Sequence, residues 1–291
     1  MHSLIAVAHR VCPALSSNAA CFPDKESMVR ACSASMFRAL RGLPCKVVAI
    51  MDSCPPAWED FLRESFAPNA AEGSELVFER HDRAGNRATF ARQIEVLREE
   101  ALSADPPRYV FFSEDDYLYR PDAFRAMMAA LDLPGAYFAT PLDHPDRYGG
   151  AAAEPRASEI RCAGGVHWRR VGTTCLTFMC APRTLLRTAR ALGVYCSGKE
   201  DAAAWLGITK EGMFSPRAML RSLRAAAGRA LRGPEKAGYR DFLPLYAWLT
   251  LGLRPLFVRR RSLWSPMPTL AVHCCANSLP PMADAILSGI R

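Results

Sequence analysis

The sequence predicts an α/β fold, a mostly parallel sheet flanked by helices, with a basic and apolar helical appendage towards the C-terminus. Three observations predict it. Short runs of bulky apolar residues alternate with longer stretches of helical periodicity, beginning with a β-α-β unit over Leu4 to Met51. Two of the apolar runs end in carboxylates: KVVAIM in Asp52, and YVFFS in Glu114-Asp115-Asp116. Acid at the carboxyl end of a buried strand lies where open α/β sheets bind their ligands. Beyond Thr209 the character changes, because Arg217 to Arg240 holds seven Lys/Arg against one acid, Glu235.

Leu4 to Ala8 reads as the first strand and Lys46 to Met51 as the second. Between them Lys25 to Leu43 carries Met28, Cys32, Met36 and Leu40 at helical spacing, closed by Gly42. A parallel pair joined through a helix implies a right-handed crossover. Glu75 to Glu79 is a third strand, and Phe90, Ile94, Leu97 and Ala101 mark one face of the helix that follows. Tyr109 to Phe112 is the central buried strand. Pro121 and Asp122 open a helix running to Leu131, proline suiting the first helical position and an acid the positive helix end. Ala136 to Thr140 is a short strand leading into a polar loop with Asp143, His144, Asp146 and Arg147. Val166 to Ala181 reads as a pair of strands, Pro182 to Leu192 as a helix, and Ser197 to Leu206 as a helix start bearing Glu200-Asp201. Residues 1–209 form the expected body and 210–291 the appendage, whose last strand, Thr269 to His273, returns a histidine to the site.

Within 210–291, Arg217 to Leu231 reads as a basic amphipathic helix. Phe242 to Val258 is apolar but interrupted by Pro244, Arg254 and Pro255, and is followed at once by Arg259-Arg260-Arg261. For the basic helix two readings stand side by side, contact with an anionic membrane surface or packing on the body with a solvated basic face. The apolar run reads equally as an interfacial membrane contact, a buried hairpin or a dimer patch. Aromatic residues are not interleaved with the basic block as base stacking requires, which argues against nucleic acid.

The chain has 291 residues, half of them apolar and 23% charged, with net charge +8, an ordinary composition for a globular protein with a large core. Its 11 cysteines are odd in number and lack zinc-site spacing, so reduced thiols in a cytosolic protein are expected. Leu4 to Ala8 is too short for the apolar part of a signal peptide, and no uninterrupted apolar run is long enough to span a bilayer. The expected location is therefore cytoplasmic, with the basic segment favouring a peripheral position on the inner face of the membrane.

Three adjacent carboxylates repel one another unless a cation sits among them, and oxygen ligands beside a phosphate suit Mg²⁺ or Mn²⁺. Asp116 is the expected ligand, with His273 as a further one. Arg10, closing the first strand, faces a phosphate in this reading. Asp52 accepts hydrogen bonds from a base or ribose, and Gly85-Asn86 offers backbone N–H groups to an anion. Glu200 or Asp201 is left to take a proton from an attacking hydroxyl. A metal neutralising a diphosphate and a carboxylate base fit group transfer from a nucleotide-activated donor.

The motifs EDDYLYRP (Glu114 to Pro121), GNRATF (Gly85 to Phe90), TPLDHPDRY (Thr140 to Tyr148), GTTCLTF (Gly172 to Phe178), KEDAAAW (Lys199 to Trp205) and PMPTLAVH (Pro266 to His273) span most of the chain. In order and spacing they resemble an inverting glycosyltransferase of the GT-A type, related to the family 2 sugar transferases of bacteria. The resemblance implies a GT-A-like fold and hexosyl transfer from a nucleotide-sugar to a glycan or lipid-linked acceptor, as in polysaccharide or lipopolysaccharide biosynthesis. It places Asp52 by the nucleotide base, Asp115 near the sugar or ribose, and Asp116 on the metal with the diphosphate. His273 falls near that metal, Glu114 and Asp115 shape the donor side, and Glu200-Asp201 match the catalytic base. The acidic motif is EDD where the family has DxD, although Glu114-x-Asp116 keeps the alternation, and Arg217 to Arg261 matches nothing in the family. Two alternatives remain open: a nucleotidyltransferase that forms the nucleotide-sugar, for which the N-terminal loop makes a poor phosphate cradle, and a non-catalytic membrane-associated binding protein.

Overall fold

Buried strands with alternating side chains divide the core into two layers. The computed structural model describes residues 4–14, 21–148, 159–232, 239–274, 279–280 and 282–288. Strands β1 (Ile5–Val11), β2 (Cys45–Asp52), β3 (Glu75–His81) and β4 (Tyr109–Glu114) run parallel in the order β3-β2-β1-β4. Ile5, Val7, Val47, Ala49 and Phe111 point to one face, where helices α1 (Lys25–Ala39), α2 (Ala57–Ala71) and α4 (Ala123–Leu131) cover them with Met36, Phe37, Phe61, Phe66 and Phe124. Ala6, Ala8, Val48, Ile50, Val110 and Phe112 point to the other, beneath Phe90, Ile94 and Leu97 of α3 (Gly85–Ala101), Leu185 of α5 (Pro182–Leu192) and Trp205 of α6 (Asp201–Thr209). A strand covered on both faces must be apolar throughout, which is why these segments read as continuous apolar runs.

The sheet continues through β9 (Phe178–Cys180), β6 (Ala136–Ala139), β10 (Ser262–Met267), β8 (Val166–Val171) and β7 (Ile160–Ala163), giving nine strands in all. Only β9 and β8 run against the rest, so seven of the nine point the same way and the sheet is mixed but mostly parallel. The chain thus has the α/β architecture expected, with helices on both faces. The stretch read as one pair of strands, Val166 to Ala181, supplies β8 and β9. These do not pair with each other: β8 lies between β7 and β10, and β9 between β4 and β6. The tight β7–β8 hairpin turns on Gly164 and Gly165, both at positive φ, and a Cβ on Gly164 would press on Ala126 at 3.2 Å.

Two further strands form a small sheet beside the site. Three residues past the tip of β4, β5 (Tyr117–Tyr119) pairs antiparallel with β11 (Ala271–His273). Helix α4 starts one residue later than expected: Asp122 stands at its cap, and its carboxylate is held by Arg120 at 2.8 Å instead of capping an amide.

Helices α7 (Pro216–Arg232), α8 (Tyr239–Leu251) and α9 (Arg254–Phe257) leave the body after α6 and return to it. Leu243, Ala247 and Leu251 of α8 pack on Ala202 and Leu206 of α6. The Arg261 amide donates to Ile208 O at 3.1 Å and Arg260 Nε to Thr209 O at 2.9 Å, so the two ends of the excursion meet. The expected boundary near residue 209 marks where the excursion begins. It does not divide the sheet, since β10 lies inside it between β6 and β8. A short helix, α10 (Ala283–Leu287), lies near β5 and β11, with Ala283 and Ile286 packing against Leu118 and Val272. The ten described cysteines are free, and all but Cys162 are buried or half-buried; Cys275 lies outside the described residues. Among the described residues no helix is long and apolar enough to cross a membrane.

Candidate active site

Parallel pairing carries the ends of β1, β2 and β4 to one edge. Register sets Arg10 opposite Glu114, and the two side chains meet with Nη2 2.6 Å from Oε1. The guanidinium also donates to the backbone O of Asn86 at 2.8 Å and to its side-chain Oδ1, and Thr177 Oγ1 donates to Glu114 Oε2 at 3.0 Å. Asn86 Nδ2 in turn donates to the Tyr195 hydroxyl at 3.0 Å. Arg10, Asn86 and Glu114 thus lock β1, β4 and the start of α3 together.

Asp115 is buried and receives Lys25 Nζ at 2.7 Å and the Cys12 amide at 2.9 Å. Burial pushes its carboxyl up to about 6, Lys25 opposing and Asp116 adding to the rise. Asp116 meets His273, Oδ2 to Nε2 at 3.1 Å, while its Oδ1 is buried without a partner. Burial alone would raise the Asp116 carboxyl, but His273, Lys25 and Arg10 together hold it below the usual range. Burial likewise disfavours the His273 imidazolium, and Asp116 outweighs that and holds it well above the ordinary histidine value. The ring stacks on Tyr117 at 4.7 Å, and the Cys274 amide donates to Asp116 O at 2.8 Å, so β11 is pinned to the acidic tip.

Each carboxylate of the acidic run therefore has its own protein cation: Arg10 for Glu114, Lys25 for Asp115 and His273 for Asp116. This corrects the expectation that three adjacent acids need an added ion, since each of the three meets a cationic side chain of the chain itself. Among the described residues no three or more Asp, Glu, His or Cys side chains converge as a ready-made metal cage. What the chain offers a divalent cation is a two-donor corner, Asp116 and His273, with one carboxylate oxygen unclaimed. That suits Mg²⁺ or Mn²⁺, which take much of their coordination from phosphate and water.

Asp52 lies at the tip of β2, buried, and its two oxygens accept the amides of Ala84 at 2.9 Å and Gly85 at 2.7 Å. It closes the N-terminus of α3, so its oxygens are already engaged at the rim where a base or ribose was expected. Of the other acidic pair, Glu200 is exposed and Asp201 is partly buried at the first position of α6, where its Oδ1 accepts the Ala202 amide at 2.6 Å. Burial pushes the Asp201 carboxyl up to about 6; the amide opposes this, and the charges of Glu114 and Glu200 add to it. Asp201 thus lies within electrostatic reach of the acidic tip. A cleft of about 460 Å³ opens between Ala84, Gly85, Asn86 and Arg87 at the start of α3 and Tyr195. The expected polar loop is also drawn in, with Asp143 fully buried against Arg169 at 2.8 Å and against Arg147.

Residue-by-residue reading missed Lys25, Cys12, Thr177 and Tyr195. Only Lys25 had left a signal. A lysine at the first position of a helix opposes the positive helix end, and such a misfit marks a side chain held there by an acid. Cys12 contributes through its backbone, and Tyr195 arrives from a 3-10 turn, so neither has a local pattern.

No protein-family model matches the chain, and no curated protein matches it. Solved structures do. The Pyrobaculum calidifontis mannosyltransferase PcManGT, in complex with GDP-Man and Mn²⁺, is 13% identical with TM-score 0.43 over 87% of this chain and 71% of that one. The bifunctional glycosyltransferase WbbM is 11% identical with TM-score 0.40 over 67% of this chain and 34% of that one. The 4-diphosphocytidyl-2C-methyl-D-erythritol synthase of Anaerococcus prevotii is 7% identical with TM-score 0.35 over 70% and 81%. All three are distant likenesses, and the functional argument rests on the site.

Proposed function

We propose that the chain is a GT-A-type glycosyltransferase that moves a sugar with inversion from a nucleotide-sugar to a hydroxyl of a glycan or lipid-linked acceptor. The observation that carries this reading is the buried acidic strand tip, where Asp116 meets His273 and keeps one oxygen without a partner, with a second acid, Asp201, at the start of α6 and within charge reach of Glu114. Asp116 is held below the usual carboxylate range with an oxygen unclaimed, and burial raises Asp201 to about 6. Divergent acid strengths within one site mark a division of roles. Asp116 and His273 would hold a divalent cation, which supplies charge neutralisation for a diphosphate leaving group. Because Asp116 favours the protonated form of His273, a cation held there would compete with that proton, and its affinity should rise with pH. Arg10 and Lys25 fix the acidic loop, and Asp201 accepts the acceptor's proton. The GNRATF turn and Tyr195 wall the cleft, and Asp52 braces it from β2.

Thermal-shift screening of UDP-, GDP-, CDP- and dTDP-sugars with and without Mn²⁺ tests the donor half. One nucleotide-sugar should raise the melting temperature selectively, and more so with the metal. Asp116→Ala should abolish that metal-dependent increment, measured against the variant's own metal-free melting temperature, which falls because His273 loses its buried partner. Equal stabilisation of wild type and variant by donor plus Mn²⁺ would remove Asp116 from the metal.

A further inference from the structure

The corner where α8 meets α9 leaves apolar side chains in water. Leu249, Leu253 and Phe257 are 73%, 67% and 85% exposed, and Leu256 is half-exposed. All four lie within nine residues, on either side of the turn at Gly252, whose positive φ ends α8 before α9 begins. Trp248 anchors the corner from behind, its Nε1 donating to Met213 O at 2.8 Å and its ring meeting Phe214 edge-on at 5.5 Å. Arg254 and Arg259 are exposed beside the apolar group, with no ion pair among the described residues. On α7, Arg217, Arg221 and Arg224 form an exposed basic row, and Leu220 and Leu223 next to it are also turned outward; α7 packs inward through Ala218 and Ser222.

We propose that this corner is the protein's membrane-docking surface, seating its leucines and Phe257 among the lipids of an anionic bilayer while the arginines contact the headgroups. Apolar residues flanked by unpaired arginines match such an interface in chemistry and in charge. A second copy of the chain is a worse match. From Phe242 to His273 there is no Asp or Glu, so a self-complementary contact would set arginines against arginines. The inference stands apart from the sugar-transfer reading, because it rests on residues outside the site. Of the two stretches that the sequence suggested, the basic helix and the apolar run to Val258, it places the contact at the turn that follows α8.

Co-sedimentation of the full chain with phosphatidylcholine vesicles, with and without phosphatidylglycerol, tests it. The protein should pellet with the phosphatidylglycerol vesicles alone and be released by salt. The triple variant Leu253→Ser, Leu256→Ser, Phe257→Ser should bind at least about tenfold more weakly, since it loses three inserting side chains. Arg254→Gln with Arg259→Gln should weaken binding and flatten its salt dependence. Both variants should melt with wild type and bind the donor as wild type does, which separates loss of docking from loss of fold or site. Binding indifferent to phosphatidylglycerol, or a triple variant that pellets as well as wild type, overturns the proposal. So does a wild-type dimer in sedimentation velocity that the triple variant converts to monomer without any vesicle binding by either.

Discussion

A carboxyl raised to about 6 at the start of α6 has consequences for both turnover and stability. As a general base Asp201 must be ionised, so the metal-saturated rate of nucleoside-diphosphate release should fall below about pH 6 on a single ionisation. Asp201→Asn should lower that rate by about a hundredfold or more at every pH. A profile that stays flat to pH 5, or a variant with full turnover, would move the base elsewhere. The sign of the stability effect follows from the same shift. The folded protein holds this proton more tightly than the unfolded chain, so the stabilising contribution is complete below the ordinary aspartate value and is lost as pH rises through about 6. Above that, ionised Asp201 is a cost, on the order of 1–2 kcal/mol once partial exposure is discounted. Asparagine escapes the cost, so Asp201→Asn should be more stable than wild type at pH 8, and the gain should vanish near pH 4. Asp115 is raised in the same direction, but it has a cation partner in Lys25. Lys25→Met leaves a buried carboxylate unpaired, and the expected loss is about 3 kcal/mol, the lower end for a broken buried pair because Asp115 can escape by protonation. Adding Asp115→Asn should restore part of that loss in urea unfolding. Additive losses would show that the two groups are not coupled.

At the scale of elements, helices and strands with a strong period were legible, and those fixed by partners were not. The spacing of Met28, Cys32 and Met36 located α1, and Asp24 caps it by accepting the Ser27 amide at 2.7 Å. By contrast α2 carries Trp58, Phe61, Leu62 and Phe66 to the core behind a Pro55-Pro56 entry and around an internal Pro68, signals that on their own punctuate loops. Strand β10 was invisible because SLWSPM contains a proline and lacks alternation; its burial comes from sitting between β6 and β8. The site followed the same rule. Asp116 and Asp201 stood out as candidates because acids end strands and open helices, and His273 because it closes the last strand. Asp52 was readable as a strand-tip acid, but its engagement with α3 depended on a loop conformation that residue type does not specify. That engagement gives an element-scale expectation. Asp52→Ala leaves two amides at the start of α3 without their acceptor, so stability should fall by about 1–2 kcal/mol. Hydrogen exchange should quicken first at residues 84–88. Uniform quickening across the sheet would mean that the residue supports the core and not the helix start.

For the whole molecule, the decisive relation is that the chain leaves the body after Thr209 and re-enters it beside Ile208 to build an interior strand of the sheet, between β6 and β8. Sequence order makes 210–291 a tail, but hydrogen bonding makes it two things. The α7–α9 excursion is joined at its base by the Arg261–Ile208 and Arg260–Thr209 contacts, whereas Leu263 and Trp264 of β10 are buried in the sheet. Truncation after Val258 removes β10 and β11, which strips β6 and β8 of a shared neighbour and takes His273 from Asp116. That protein should be insoluble or molten, without a cooperative melt. Excision of 214–257, bridged by a few glycines, keeps both strands and asks the linker to span ends that already touch, a small loop-closure cost. Its main penalty is the α6 face that Leu243, Ala247 and Leu251 covered, a few side chains at about 1.5–3 kcal/mol each, partly recovered by relaxation. The excised protein should therefore melt cooperatively at a lower temperature and still be stabilised by the same nucleotide-sugar with Mn²⁺. If instead the truncated chain folds and the excised one does not, the helical excursion, and not the returning strand, completes the core.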